Sequence, residues 1–239
     1  MRSEGMKTLI SWAVLALSLA FAAAPLVTSP FTGFTADQLP NPQIDPPVQP
    51  AGWAFSIWGL IYLWLITSAG YGLWRRAAAE DWHRMRLPLL VALAVGVPWL
   101  AIANASAIWA TITIFIMAAG AIGAFLAAPE RDVWLARVPM GLFAGWLSAA
   151  SFVSLGSTAA GYGLFMGQTG WAILCVILAT LLALVVQSRR PRAASYGVTV
   201  AWALFAIVVA NGLNVPGLVA LASLLAILGA VVLARRVTS

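Results

Sequence analysis

Long apolar runs separated by short segments that hold nearly all the charge set the pattern of this chain. The runs cover about residues 8–27, 51–73, 87–128, 138–156, 170–187 and 194–209, and a last one ends at Arg235-Arg236. Each is near the roughly 20 residues that an α-helix needs to cross a bilayer, except 87–128, which at roughly forty is too long for one crossing and right for two. The most polar point of that run, Asn104-Ala105-Ser106-Ala107, is where a tight turn belongs, and Pro98 predicts a kink in the first helix of the pair. None of the runs alternates with period two, as barrel strands do. The pattern predicts an all-α, polytopic transmembrane helical bundle of about eight spans.

Composition fixes the solvent. The chain of 239 residues is 62% hydrophobic and 8% charged, whereas ordinary soluble domains carry roughly 25% charged residues. This is an integral membrane protein. A net charge of +6 would suggest a nucleic-acid partner in a soluble chain, but here position explains it. With eight spans and both termini inside, all thirteen Lys and Arg fall on one side, which the positive-inside rule makes cytoplasmic. The expected location is a bacterial inner (cytoplasmic) membrane, with N- and C-termini cytoplasmic, the lipid bilayer as surroundings and no nucleic acid as partner.

Between the first two runs, Thr28–Pro50 holds six prolines, no Lys or Arg, and the acids Asp37 and Asp45. Such a segment is not regular helix, and its length suggests an ordered cap or a mobile lid over the bundle. The 75–86 segment, with Arg75, Arg76, Arg84 and Arg86, reads as a cytoplasmic loop.

The chemistry available is narrow. No Asp, Glu, Lys, Arg or His lies within a predicted span, so the usual carriers of proton relays and intramembrane catalysis are missing. A single cysteine, Cys175, and a single histidine, His83 in a polar segment, assemble no metal or haem ligand set. No metal site, no catalytic residue and no required cofactor are expected; the protein reads as a non-enzyme. The Ser and Thr residues inside the spans are assigned to helix–helix packing.

Aromatic placement is the positive signal. In Pro50–Tyr62, PAGWAFSIWGLIY, helical spacing puts Phe55, Trp58 and Tyr62 on one side and Trp53 with Trp64 on the other. Indoles in membrane helices usually sit at the interface, so Trp58 and Trp64, deeper in, call for a packing or ligand explanation. The spacing Trp53, Phe55, Trp58, Tyr62 after a proline-rich loop resembles the second helix of the TspO/MBR family of tryptophan-rich sensory, or translocator, proteins. In the fifth predicted span, VPMGLFAGWLSAASF, Phe143, Trp146 and Ala150 share a stripe with Pro139. Compared with that family's fifth helix, the tryptophan and alanine are kept, while Leu142, Phe143 and Ser154 stand in the proline, tyrosine and asparagine places. In the third helix Asn104 occupies the asparagine place, with Leu100 and Ala107 flanking it and Trp109 out of register.

The motifs cover about residues 8–157. The resemblance implies a five-helix core over 1–157, including the loop 28–50, with a three-helix extension over 158–239. It favours the run at 8–27 as a retained first span, although Ala22-Ala23-Ala24 also offers a signal-peptide cleavage site. It further implies a hydrophobic planar ligand, a tetrapyrrole such as a porphyrin or a sterol-like lipid, bound for transport or sensing, with a homodimer as a candidate assembly. Trp53, Phe55, Trp58, Tyr62, Asn104, Phe143, Trp146 and Ala150 are the expected ligand-binding residues. Porphyrin propionates sit awkwardly here, since every Arg is expected at the opposite face. Two other classes remain open, a small-solute permease or channel subunit and a structural partner of other membrane proteins.

Overall fold

The computed structural model describes residues 2–29, 31 and 33–237. In chain order the helices are α1 (Arg2–Val27), α2 (Ile57–Arg76), α3 (Glu80–Gly96), α4 (Trp99–Ala105), α5 (Ala107–Ala127), α6 (Arg137–Gly161), α7 (Gln168–Arg189), α8 (Ala194–Asn211) and α9 (Val215–Val237). Seven of these are long and apolar enough to cross a membrane, and α3 with α4, bent by 41° at a short break, has the length and composition of an eighth, broken span or of a re-entrant loop. The break falls at Val97-Pro98, where the proline ring has no N–H to give to the helix ladder. The expected turn is also in place: Ser106 separates α4 from α5, and its hydroxyl accepts the Trp109 N–H at 3.3 Å.

Two helices extend beyond the apolar runs. Of the expected loop 75–86, only Ala77–Ala79 lies outside helix. Glu80 and Asp81 occupy the first turn of α3, where negative charge suits the positive end of the helix dipole. The buried Arg86 reaches back to α2, donating to the carbonyls of Gly72, Arg76 and Ala77 at 2.8–3.1 Å. Two of them, Arg76 and Ala77, are carbonyls that a helix leaves unpaired at its C-terminus. A charged run thus conceals a helix start. Likewise α6 passes residue 157 unbroken to Gly161.

The helix α6 is the axis of the bundle. It is buried along most of its length and packs against α2, α5, α7 and α8, while α1 packs on α2 and α3, and α9 on α7 and α8. Close approach depends on small residues, as is usual in bilayers. A Cβ on Gly120 of α5 would stand 2.8 Å from the Pro88 carbonyl oxygen and 2.9 Å from the Ala92 nitrogen of α3. The two backbones therefore touch there.

Charge gathers at one end. Lys7 pairs with Glu80, Arg131 with Asp81, and Arg76 with Asp132, at 2.6–2.7 Å. Asp132, left-handed at φ 54°, also accepts from Tyr71 Oη at 3.1 Å and Trp82 Nε1 at 3.2 Å. The Arg76 guanidinium, then the Tyr71 and Trp82 donors, hold its carboxyl below the ordinary carboxylate range. Arg190 donates to the Leu126 and Ala128 carbonyls at the end of α5.

At the opposite end, the described residues of the segment 28–50 form a cap tied to three helices. Gln38 Nε2 donates to the Ala103 carbonyl at 2.8 Å, the Asn41 backbone N–H to Gly161 at 2.8 Å, and Asn211 Nδ2 to Pro47 at 2.9 Å. Its own Leu39, Pro46, Val48 and Pro50 are buried.

Candidate functional site: an aromatic cavity under the cap

Under the cap, between α1, α2, α4, α5 and α6, lies a cavity of about 290 Å³. Its roof is Phe31, Gly33, Phe34, Gln49 and Pro50, and its walls carry Phe21 from α1, Trp58 and Tyr62 from α2, Trp99 from α4, and Trp146, Ala150 and Ser154 from α6. Ile114 and Met117 of α5 complete the apolar lining.

The rings hold one another apart. Trp58 and Tyr62, one helical turn apart, stack at 5.3 Å with planes 19° from parallel. Phe21 meets both edge-on, at 5.8 Å and 5.2 Å. Trp146 stands nearly perpendicular to Phe55 and to Trp58, each at 84°. Edge-to-face contacts of this kind stabilise by on the order of 1 kcal/mol each, and they brace the walls without filling the centre. The Trp146 indole N–H is buried with no hydrogen-bond acceptor among the described residues, and the indole packs against the rings of Phe55 and Trp58. Ser154 Oγ is bonded to Thr111 Oγ1 at 2.7 Å, which in turn meets Thr158 Oγ1 at 2.8 Å. That chain of hydroxyls joins α5 to α6 beside the cavity.

Of the eight residues expected at the site, Phe55, Trp58, Tyr62, Trp146 and Ala150 line the cavity. Trp53, Phe143 and Asn104 do not. Residues 52–56 form a 3₁₀ turn ahead of α2. With 3.0 residues per turn, the α-helical phase assumed for Trp53 does not apply. Its ring packs on Trp202 at 4.9 Å and on Phe205 instead. Phe143 is fully buried one turn nearer the charged end than Trp146, with Phe21 over it at 5.6 Å. Asn104 is exposed and donates to the Ser29 carbonyl at 3.1 Å, tying the cap to α4. Trp64 has a packing explanation: it stacks on Trp134, and its indole N–H donates to the Trp134 carbonyl at 2.7 Å.

Phe21, Phe31, Phe34 and Trp99 enter the lining without having been expected there. Only for Trp99 was there a local signal, its place immediately after the helix-breaking Pro98.

These features define a polytopic helical membrane protein built around an internal aromatic cavity. The chain matches the family described as TSPO-like protein over residues 8–235, and it belongs to that family. The match takes in α7–α9 as well as the part that carries the motifs. No curated protein and no solved structure matches the chain.

Proposed function

We propose that this TSPO-like protein is a non-enzymatic binder of a flat hydrophobic molecule, held in the cavity between α2 and α6 for transport or sensing. One observation carries the reading: six segments of the chain contribute rings to one void of about 290 Å³ that those rings do not close. Burial and ring stacking are what such walls offer a ligand. Tetrapyrroles and sterol-like lipids are the candidates that the family resemblance implies. The Arg-rich end and both termini face the cytoplasm in this reading, by the positive-inside rule, and the capped end faces away.

The test is binding to the full chain in lipid nanodiscs. Tryptophan fluorescence is followed as a neutral naphthyl ketone, and separately protoporphyrin, is added, with empty nanodiscs as the partition control. A saturable site with one probe per chain supports the reading. Quenching that merely tracks partition into lipid, for every probe, sinks it and leaves the structural-partner alternative.

A further inference from the structure

We propose that Arg137 and Arg190, at the charged end of the bundle, seat a phosphate group at the bilayer surface, carried by an anionic phospholipid or free in solution. The seat lies at the other end of the molecule from the cap and is independent of what the aromatic cavity binds.

The donors are under-used. Arg137 begins α6 and is 9% exposed. A guanidinium has five N–H donors, yet Arg137 Nη2 makes only a long bond to the Pro129 carbonyl, at 3.3 Å, and Nε is buried with no acceptor among the described residues. A buried cation with unmet donors is costly, so an anionic acceptor at that guanidinium is stabilising. Arg190, at the end of α7, is held differently. Its Nε and Nη2 donate to the Leu126 and Ala128 carbonyls, which fixes the guanidinium and leaves Nη1 for another acceptor.

One atom marks where the two arginines converge. Glu130 Oε1 stands 3.8 Å from Arg137 Nη2 and 3.8 Å from Arg190 Nη1, so the two nitrogens lie within twice that distance of each other. Neither separation is a hydrogen bond. The Glu130 side chain is 88% exposed, and so loose a surface pair gives up its carboxylate to water at little cost. One carboxylate against two guanidiniums leaves the cluster positive, and the first turn of α6 holds no acid to offset the positive end of its dipole. A phosphate, with more oxygens than a carboxylate, meets both guanidiniums with charge-assisted hydrogen bonds.

The surroundings set the depth. Trp134, three residues before Arg137, is 69% exposed and stacked on Trp64, at the level where indoles mark the membrane interface. On α7, Leu181, Val185 and Arg189 are exposed and recur at every fourth residue. A lipid lying along that face brings its headgroup to the end of α7, and basic pockets between helices are where anionic headgroups bind.

The test uses the full chain in maltoside micelles and phosphate-free, low-salt buffer. Phosphatidylglycerol, inorganic phosphate and oleate, an anion without phosphorus, are titrated separately, and the thermal midpoint and the phosphorus bound per chain are read. A saturable rise in midpoint with one phosphorus per chain is expected. A response to the lipid alone assigns the headgroup as the source, and an equal response to inorganic phosphate assigns the free ion; both support the seat. Arg137→Gln is expected to weaken binding by about tenfold or more, as a charge-assisted pair is lost. Glu130→Gln removes the competing charge from an exposed carboxylate that accepts no hydrogen bond among the described residues, and is expected to tighten binding about two- to fivefold. That variant decides the matter if Arg137→Gln does not fold. Oleate matching phosphatidylglycerol, saturable binding of neither phosphate source, or unchanged or weaker binding in Glu130→Gln overturns the proposal.

Discussion

The indole of Trp146 meets that of Trp58 edge-on in the cavity wall, with centroids 6.2 Å apart and planes at 84°. Trp202, an indole of equal bulk, lies outside the cavity against Trp53. Truncation at the two positions therefore has different consequences for binding. Trp146→Ala is expected to weaken a bound ring system by about tenfold or more, since a ring contact and its buried area contribute on the order of 1–2 kcal/mol. Trp202→Ala is expected to leave affinity within about twofold, although Trp202 Nε1 donates to the Ala54 carbonyl at 3.1 Å and its loss lowers stability. Ligand titration of both variants beside a thermal unfolding scan separates the two effects.

Ala150 faces the void from α6, so enlarging it moves binding and stability in opposite directions. Ala150→Leu is expected to abolish saturable binding while raising thermal stability, by about 0.5–2 kcal/mol for filling an apolar hollow. Lower stability together with lost binding would mean that the site is already fully packed.

Asp132 carries the pH dependence. Its carboxyl is held below the ordinary range by Arg76 first. The stability this contributes is therefore complete above the unfolded carboxylate value, near pH 4, and is lost as pH falls through the lower folded value. Asp132→Asn keeps a residue that tolerates φ 54° and is expected to cost about 1–2 kcal/mol at pH 7, with a shallower loss of stability below pH 4 than in the parent chain. Asp132→Ala, which also pays for the left-handed backbone, is expected to cost more. Unfolding midpoints measured from pH 7 to pH 3 check both the order and the slope.

Gly120 and Gly59 provide a matched pair. A methyl group at Gly120 collides with the α3 backbone, while one at Gly59 has nothing within 4 Å. Gly120→Ala is expected to destabilise by about 1–3 kcal/mol through forced separation of the helices. Gly59→Ala is expected to be neutral or mildly stabilising, since it only improves helix propensity. Thermal midpoints of equal sign for the two would contradict the close α3–α5 contact.

Much of this architecture is local and so was legible in the chain. Apolar run length determines the spans, Pro98 breaks the third, Ser106 starts α5, and the aromatic spacing from Phe55 to Tyr62 and from Trp146 to Ala150 points at one side of two helices. What was hidden depends on distant partners or on a change of helical type. Trp53 turned away because the first turn is 3₁₀, Phe143 is covered by a ring from α1, and Asn104 meets a carbonyl 75 residues away in sequence. Phe21, Phe31 and Phe34 come from segments whose pattern says only "helix" or "loop". The start of α3 was masked by its own charges, which read as a loop until their roles at two helix ends are seen.

Among the described residues, none that lines the cavity carries a formal charge, and this bears on how the proposed ligand would respond to its surroundings. A neutral occupant passing such a wall carries no current and meets no ionic gate. Neither membrane voltage nor salt has a fixed charge to act upon at that wall, so occupancy by the proposed ligand, where neutral, is expected to be insensitive to both.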